Sequence, residues 1–357
     1  MNFEIKNIDK CCYQEHLKDF LPENIIDIHT HVYKKEITGS TAVQDKRLVS
    51  WTSLVAEDNP IEDLLETYKR MFPGKKVTPC IFPWVEPVDK IDELNEYTRA
   101  SAMSRQLPVL LLAHPSCPGE ELDRKLTEGG YNGIKVYLSF APSYIPGDEV
   151  RIFDFLSHEH LAVLDKRGLM VMLHIPRSGR LKDPVNLAQI LEIEQKYPNL
   201  KLVLAHVGRA YCLEDIGDAF EVLGKTERLM FDISANTNAE VFAQALEALG
   251  PKRMIFGSDL PITRMRMRRI CEKGIYINLV PRGLYGDVSG DRNMREVDGE
   301  EAAELSFFLY EEMMAIKDAV NEVGLQKTDV EDIFYNNAKK IIESTGFPMA
   351  DAGRAEG

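Results

Sequence analysis

The chain has 357 residues, of which 44% are hydrophobic, so it can bury a large core as two ordinary domains or as one α/β barrel. Its formal net charge is −14, with 57 acidic against 43 basic residues, which argues against a general binder of nucleic acid or of anionic membranes. The N-terminal residues MNFEIKNIDKCCYQEH lack the apolar core of a secretory signal, and no aliphatic stretch is long enough to span a bilayer. We therefore expect a soluble, cytoplasmic protein.

The six cysteines show no metal, redox or secreted disulfide pattern in their spacing. They are Cys11, Cys12, Cys80, Cys117, Cys212 and Cys271. The adjacent Cys11 and Cys12 are expected to be two reduced thiols on an N-terminal helix. Cysteine usage thus agrees with a cytoplasmic location.

Strand-like and helix-like segments alternate along the chain. The strand candidates are continuously apolar, as in a covered parallel sheet, and lie near residues 25–32, 76–85, 107–115, 133–140, 168–175, 200–207, 228–235 and 253–259. Helix signals between them include Asp183 before Pro184 at a start and Gly250 before Pro251 at an end. Eight such units without a linker predict one (β/α)8 TIM barrel of the α/β class. A doubly wound open sheet fits less well, because its ligand site draws on fewer strands.

We expect residues 23–347 to form the barrel, preceded by an N-terminal extension at 1–22 and followed by a flexible tail at 348–357. Two connections are unusually long, at 33–60 after the first strand and at 261–299 after the eighth. Both leave the C-terminal face of the barrel, so they are candidate lids or substrate walls. The second contains GIYINLVPRGLYGD, which predicts a hairpin, and the eighth helix is expected to follow it.

Five strand ends carry side chains that bind divalent metals. These ends are IIDIHTHV, GIKVYLSF, GLMVMLHIP, LKLVLAHVG and RMIFGSDLP, and they supply His29, His31, Lys135, His174, His206 and Asp259. Alternate residues of a strand point the same way, so His29 and His31 can share one site. Histidines and a carboxylate at the C-terminal ends of parallel strands predict a zinc-like metal centre.

Some of these residues also have a structural interpretation. A lone histidine at a strand end is more often hydrogen-bonded than ligating, but His174 and His206 follow an HxH pair on successive strands, which favours ligation. Asp259 could instead cap the next helix, a role that Ser258 could fill equally well. An unpaired carboxylate in such an apolar place is costly, so Asp259 needs a metal, a histidine or an arginine beside it.

Lys135 is open to three interpretations: a salt-bridge partner, a binder of a substrate carboxylate, or a carboxylated bridge between two metals. A second HxH, formed by His158 and His160, lies in helical sequence, where two residues rotate by about 200° and the imidazoles diverge. We interpret that pair as a solvated helix face.

Arginines near the same strand ends indicate an anionic substrate. Arg177 follows His174, Arg209 follows His206, and Arg264 follows the eighth strand, and guanidinium groups bind carboxylate or phosphate in a bidentate manner. We expect these three to bind substrate. Arg268 and Arg269 are instead expected to pair with the acidic protein surface.

The ordered set HxH, Lys, His, His, Asp resembles the amidohydrolase superfamily of metal-dependent (β/α)8 enzymes. The GxK strand, the LAHVGR and GSD motifs and the final NNAKKII helix are most similar to its amidohydrolase-2 branch. That branch includes aminocarboxymuconate-semialdehyde decarboxylase and related decarboxylases, lactonases and hydrolases. The long segment after Asp259 departs from the compact members.

The resemblance implies a role for each residue of the set. His29, His31, His174 and Asp259 would ligate a divalent metal, with zinc expected first. His206 would be a ligand of a second metal or a catalytic residue that polarises the substrate. Lys135 matches the lysine that is carboxylated in two-metal members, so one or two ions are expected.

We expect a metal-dependent hydrolase that cleaves an amide, ester or lactone bond of a small anionic molecule. The metal would activate water, Asp259 would shuttle its proton, and His206 would stabilise the oxyanion. The alternative is a metal-dependent, non-oxidative decarboxylase of an aromatic or enol carboxylate. A third reading is a non-catalytic, metal-stabilised scaffold. No nucleic acid or membrane partner is expected, and residues 1–22 could cover the barrel base or a neighbour in a homo-oligomer.

Overall fold

The computed structural model of the protein describes residues 3–38, 52–85 and 88–349. Within these residues, eight strands coincide with the eight predicted segments. They are β1 (Asn24–His31), β2 (Lys76–Phe82), β3 (Leu110–Leu112), β4 (Gly133–Val136), β5 (Met170–Leu173), β6 (Lys201–Leu204), β7 (Met230–Asp232) and β8 (Met254–Ile255). Three further strands follow: β9 (Arg268–Glu272), β10 (Ile275–Pro281) and β11 (Met294–Val297).

The helices alternate with the first eight strands and cover the outside of the sheet. They are α1 (Asn7–Cys12), α2 (Lys35–Thr38), α3 (Thr52–Val55), α4 (Ile61–Met71), α5 (Ile91–Arg105), α6 (Gly119–Gly129), α7 (His158–Arg167), α8 (Pro184–Lys196), α9 (Ala219–Leu223), α10 (Ala239–Leu249), α11 (Gly299–Ala303), α12 (Phe308–Val323), α13 (Lys327–Glu331) and α14 (Asn337–Ser344). The predicted boundary signals hold, since Asp183 accepts hydrogen bonds from the first turn of α8 and α10 ends before Gly250.

Backbone hydrogen bonds join the eight parallel strands into one cylinder. Strands β3 to β8 form a continuous parallel ladder, and β1 pairs with β2. The amide of Ile81 donates to Pro108 O (3.0 Å) and links β2 to the segment before β3. The amide of Ile28 donates to Phe256 O (3.1 Å) and links β1 to the end of β8. Each strand therefore ends at the same rim, where loop residues from all of them meet.

An irregularity in β1 decides which side chains enter the barrel. Ile26 and Ile28 pack in the barrel interior with Phe82, whereas Ile25 belongs to the layer between strands and helices. Simple alternation would therefore place His29 and His31 outside. The pairing of β1 with β2 shifts its register between Asp27 and Thr30, and His29 and His31 both contact the ring of Phe82. This local irregularity thus directs both imidazoles inward.

The segment after β8 forms a small sheet whose hairpin differs from the predicted one. Strand β10 pairs antiparallel with β9 and parallel with β11. The tight turn is therefore at Lys273 and Gly274, at the very start of the predicted GIYINLVPRGLYGD segment rather than in its middle. Both turn residues have positive φ, and the two strands that they join carry β-branched and aromatic residues. The eighth helix begins at Phe308, after this sheet.

The N-terminal residues pack against the barrel through a buried ion pair between Asp9 and Arg266, whose closest oxygen and nitrogen lie 2.7 Å apart. The division into a 1–22 extension and a 23–347 barrel remains a prediction. Residues 39–51 of the first long connection and residues 350–357 of the predicted tail lie outside the described residues. None of the helices within the described ranges combines the length and apolar character that a membrane span requires.

Two of the sequence predictions are wrong in this part of the molecule. Cys212 and Cys271 form a disulfide, although their spacing of 59 residues gave no sign of pairing. His160 is fully buried and its Nε2 lies 2.7 Å from Cys117 O, so it is not part of a solvated helix face. In both cases a neighbour distant in sequence, which no local pattern records, determines the environment.

Candidate metal centre

The β1 histidines are held so that their Nε2 atoms face a common point. His29 Nδ1 lies 2.7 Å from Asp232 Oδ2, and His31 Nδ1 lies 3.3 Å from Pro83 O. Both partners are acceptors, so a neutral ring with its proton on Nδ1 satisfies them and would offer its Nε2 lone pair to a metal. Burial lowers the pKa of His29 well below its usual value, with Lys135 as the next contributor, which keeps the ring neutral. Neutral imidazole is the form that binds metals.

Asp259 brings a carboxylate to the same point from the end of β8. Its Oδ1 lies 3.2 Å from His31 Nε2 and 3.6 Å from His29 Nε2. The amide of Asp259 donates to His29 O (2.8 Å), and its φ of 57° is in the left-handed region. Burial acts to raise the pKa of Asp259, but the His31 hydrogen bond and the nearby imidazoles lower it to about 2. The carboxylate is therefore ionised at neutral pH.

Close backbone approach at Gly257 allows β8 to reach the β1 histidines. A Cβ at this position would lie 2.8 Å from His29 Cβ and 3.2 Å from Asp232 Oδ1, both inside normal contact distance. A side chain here would push His29 away from its acceptor. The glycine of the GSD motif is thus required for packing around the centre.

His206 and His174 extend the cluster along β6 and β5. The ring centroid of His206 lies 5.1 Å from that of His29 and 5.1 Å from that of His174. His206 Nδ1 lies 3.0 Å from Ser234 O, so its Nε2 is also left for the centre. The buried Nδ1 of His174 has no hydrogen-bond partner in the described part of the chain. A buried imidazole nitrogen without a partner is costly unless a ligand occupies it.

Lys135 is buried beside these histidines. Its Nζ lies 3.4 Å from His29 Nε2. The same atom lies 5.1 Å from the centroid of the Phe82 ring and 5.0 Å from that of the Tyr137 ring. Burial lowers the pKa of Lys135 to about 8, although Asp232 and Asp259 act in the opposite direction. An amine in this state is close to the reactive, neutral form that carboxylation requires.

These donors fit a divalent metal. His29, His31 and Asp259 place their ligand atoms within 4.8 Å of one another, as do His29, His206 and Asp232. The second group includes His29 and Asp232, which a hydrogen bond already joins, so the first group is the better candidate for a metal site. His174, whose ring packs against that of His206, has an Nδ1 without a hydrogen-bond partner among the described residues. Nitrogen and carboxylate donors in this number are typical of zinc and other transition metals.

Asp232 was missed by the sequence analysis and is central to the site. It is fully buried, it accepts from His29 Nδ1, and its Oδ1 accepts from both the amide and the hydroxyl of Ser234. A carboxylate that holds a ligating histidine in this way fixes the ring's tautomer and orientation. Its only sequence signal was an acidic residue at the end of the apolar segment LMFDIS.

The three predicted substrate arginines are engaged with other groups. Arg177 pairs with Asp183, Arg209 donates to Ile175 O (3.0 Å) and Pro176 O (2.9 Å), and Arg264 donates to Thr67 Oγ1 (3.3 Å). Across the described ranges, none of the three hydrogen-bonds to a member of the histidine cluster. Their role in substrate binding remains a prediction.

Arg269 departs from its predicted place on the acidic surface. Its guanidinium stacks on three aromatic rings, with its Cζ 4.7 Å from the centroid of Tyr211, 4.5 Å from Tyr276 and 4.6 Å from Phe308. Arg268 does follow the prediction, since its Nε lies 3.5 Å from Glu311 Oε2. Because adjacent strand residues face opposite sides, only one of the two arginines can face the aromatic layer.

Residues 26–343 match the family model described as Amidohydrolase (Amidohydro_2). The chain belongs to the amidohydrolase family. This match confirms the resemblance inferred from the sequence motifs, and members of the superfamily are metal-dependent enzymes. A comparison with curated proteins finds no match.

Solved structures share the fold of this amidohydrolase at low sequence identity. A dihydroxybenzoic acid decarboxylase from Polaromonas sp. JS666, with bound manganese and 2-nitroresorcinol, is 13% identical over 90% of this chain and 97% of its own, with a TM-score of 0.53. An amidohydrolase from Burkholderia multivorans with bound zinc is 13% identical over 91% and 99%, with a TM-score of 0.54. A 5-carboxyvanillate decarboxylase from Sphingomonas paucimobilis is 12% identical over 90% and 99%, with a TM-score of 0.51. The predicted TIM barrel is confirmed.

Proposed function

We propose that the chain is a hydrolase that cleaves an amide, ester or lactone bond of a small anionic substrate, with Asp259 as proton shuttle. The observation that carries this proposal is the position of Asp259 Oδ1 within 3.6 Å of both His29 Nε2 and His31 Nε2. A carboxylate in that place can hold a metal through one oxygen and accept a proton from water at the other.

His29, His31, His174 and Asp259 are the proposed ligands, and zinc is the proposed metal. Such an ion acts as a Lewis acid that lowers the pKa of water and polarises a carbonyl oxygen. The Asp232 carboxylate keeps the His29 lone pair directed at the centre. The surrounding apolar residues Phe82 and Met172 are fully buried and exclude bulk water beneath the site.

The tautomer of His206 refines its role. Its Nδ1 faces two acceptors, Ser234 O at 3.0 Å and Ser234 Oγ at 2.9 Å, while the serine hydroxyl donates to Asp232. The proton on Nδ1 leaves a lone pair on Nε2. This favours His206 as a metal ligand or proton acceptor over the oxyanion donor expected from the sequence.

Lys135 supplies the positive charge that an anionic substrate or an oxyanion needs. Its buried ammonium lies 3.4 Å from His29 Nε2, inside the cluster. Elemental analysis decides between its two proposed states. About two ions per chain would indicate a carboxylated, bridging Lys135, and about one ion would indicate an unmodified lysine that binds substrate.

The test of this proposal is Asp259→Asn, assayed on a panel of anionic amides, esters and lactones. Loss of a general base costs roughly 10²- to 10⁴-fold in kcat, so kcat of the variant, assayed in excess metal with its metal content confirmed by elemental analysis, should fall by that factor. Asp318→Asn, which changes an exposed carboxylate on α12, is the matched control. Near-normal hydrolysis by Asp259→Asn would show that the proton shuttle is assigned wrongly.

Non-oxidative decarboxylation of an aromatic or enol carboxylate is the second candidate. The buried ammonium of Lys135 favours it, because a cation at this depth can hold a carboxylate against the centre. Two of the similar barrels are decarboxylases by name. Release of CO₂ from aromatic carboxylates, without hydrolysis of any member of the ester, amide and lactone panel, would replace the first proposal with this one.

A further inference from the structure

Arginine and tyrosine side chains from the segments that follow β5, β6 and β8 pack together in one layer. We call it the arginine–tyrosine layer, and it consists of Arg180, Tyr211, Arg269 and Tyr276. The Tyr211 and Tyr276 ring centroids lie 5.0 Å apart. The Arg180 guanidinium lies 5.2 and 5.0 Å from the same two centroids. Two cations therefore share one pair of rings.

The layer is built from loops that follow the strands of the metal centre. Arg180 follows His174 on the loop after β5, and Tyr211 follows His206 on the loop after β6. Arg269 and Tyr276 come from β9 and β10, which follow Asp259. All of these loops leave the C-terminal face of the barrel, where substrates bind in this fold. The layer thus belongs to the mouth of the site.

Arg269 has no carboxylate within ion-pair distance among the described residues, although Glu312 lies near enough to act on its charge. Its Nε donates to Asn278 Oδ1 (2.8 Å) and its Nη1 to Ala235 O (2.6 Å), both of which are uncharged acceptors. Among the described residues Arg269 forms no ion pair, and its Nη2 forms no hydrogen bond. Arg180, in contrast, pairs with Asp215. The guanidinium of Arg269 is half-buried and is fixed by stacking and by the hydrogen bonds of its Nε and Nη1. Its Nη2 is left to donate to an anion.

The distance from Arg269 to the centre suits one small molecule. Ala235 O accepts from Arg269, and the preceding Ser234 O accepts from His206 Nδ1 at 3.0 Å. Since consecutive Cα atoms are about 3.8 Å apart, the guanidinium lies within roughly 10 Å of the His206 ring. A carboxylate on the far side of a single aromatic ring can span that gap while the reacting group lies at the centre.

We propose that Arg269 forms a second anion subsite, which selects substrates that carry a carboxylate remote from the reacting bond. This inference rests on the proposed function only in that it takes the histidine cluster as the reaction centre. Arg180, which packs on the same two tyrosine rings, helps to fix them in place. Tyr211, Tyr276 and Phe308 hold the guanidinium plane in place, so little conformational entropy is lost when an anion binds.

Binding of two probes to metal-loaded protein tests the subsite. Titration calorimetry would compare isophthalate, a benzene 1,3-dicarboxylate, with benzoate, which lacks the second carboxylate. We expect wild type to prefer isophthalate, and Arg269→Met to lower isophthalate affinity roughly 10- to 100-fold, as for loss of a charged hydrogen bond, with benzoate affinity unchanged. Arg268→Met, the neighbour that faces the other side, is the control and should change neither affinity.

Each other outcome would overturn the subsite. Equal binding of the two probes to wild type, or no isophthalate binding, would show that the mouth does not select a second carboxylate. An unchanged isophthalate preference in Arg269→Met would remove Arg269 from binding. An equal loss of both probes would give Arg269 a structural role only. Because the readout is equilibrium binding and not turnover, failure of the hydrolase proposal can be told apart from failure of the subsite.

Discussion

The candidate metal centre and the arginine–tyrosine layer both follow the C-terminal ends of barrel strands but are built in different ways. The centre takes its side chains from the ends of β1, β4, β5, β6 and β8, and nearly all of them are buried. The layer takes its side chains from loops and from the β9–β11 sheet, and it is fastened by stacking and by the disulfide from Cys212 to Cys271. Strand ends are fixed by the barrel itself, so they suit chemistry that tolerates little displacement. Loops vary more freely, so they suit selection among substrates.

This comparison predicts that changes at the centre act on turnover and that changes at the layer act on substrate affinity. The two sets of effects can be separated by measuring metal content, kcat and KM on the same variants. The largest effects on turnover should come from changes at the centre, and the smallest from removal of the disulfide that holds the layer in place.

Removal of the metal should have the largest effect. Dialysis against a chelator should reduce turnover to background, and added zinc or manganese should restore it. Loss of a ligand that binds only the folded state also lowers the melting temperature, here by roughly 3–8 °C for a site loaded at about 100 times its Kd. Differential scanning calorimetry measures the melting temperature, and elemental analysis of the same sample measures the metal content. Full turnover by metal-free protein would contradict the proposed centre.

Asp232→Asn should weaken metal binding without unfolding the barrel. The carboxylate that accepts from His29 Nδ1 at 2.7 Å becomes an amide, which holds the ring less strongly, and such changes typically cost 10- to 100-fold in metal affinity. Competition with a chromophoric chelator measures the affinity, with Asp215→Asn, which breaks the ion pair to Arg180 instead, as the control. Unchanged affinity would show that Asp232 does not orient a ligand.

The sequence predicted the parts of the site that depend on local pattern. A buried parallel strand ends where its apolar run ends, so His174, His206 and Asp259 could be placed at strand ends from the sequence alone. The HxH spacing placed His29 and His31 on one side of β1, but alternation alone would have put them outside. The register shift between Asp27 and Thr30 depends on pairing with β2, which lies about 50 residues away and leaves no local signal.

The layer could not be predicted for the same physical reason. Arg269 occurs in a run of basic residues, TRMRMRR, that resembles a solvated surface strand. Its neighbours Tyr211 and Tyr276 come from two separate segments, and Cys271 meets a cysteine 59 residues earlier. Stacking and disulfide pairing are contacts between distant segments. They follow from the folded barrel and not from any spacing along the chain.

Replacement of Glu312 should have an intermediate effect on kcat, smaller than that of metal removal and larger than that of removing the disulfide. Glu312 acts on the centre from outside the barrel. Its Oε2 accepts from the amide of Ala235 (2.8 Å), and the carbonyl of that same peptide, Ser234 O, accepts from His206. Burial raises the pKa of Glu312 well above its usual value, so glutamine is a close neutral replacement. Glu312→Leu leaves the Ala235 amide unsatisfied, which costs about 1–3 kcal/mol and lets the His206 acceptor move.

We therefore expect kcat to fall about 5- to 30-fold in Glu312→Leu and to stay within about twofold of wild type in Glu312→Gln, since part of the 1–3 kcal/mol cost appears in the transition state. Steady-state kinetics with the best substrate of the panel measures both variants. Equal losses in the two variants would mean that the negative charge matters and not the hydrogen bond. A wild-type kcat in Glu312→Leu would show that Glu312 does not influence the centre.

The disulfide should have the smallest effect on turnover, and the effect should appear in KM. Cys271 lies two residues after Arg269 on β9, and its bond to Cys212 joins the layer's hairpin to the loop after β6. Without the bond, the hairpin must be ordered when substrate binds. Ordering one flexible side chain costs about 0.5–1.5 kcal/mol, so KM for a dicarboxylate should rise roughly two- to tenfold with kcat and metal content unchanged. The double variant Cys212→Ser, Cys271→Ser measures this without added reductant. A loss of kcat instead would show that the hairpin affects the chemical step. It would contradict the view that the strand ends set turnover while the layer sets substrate affinity.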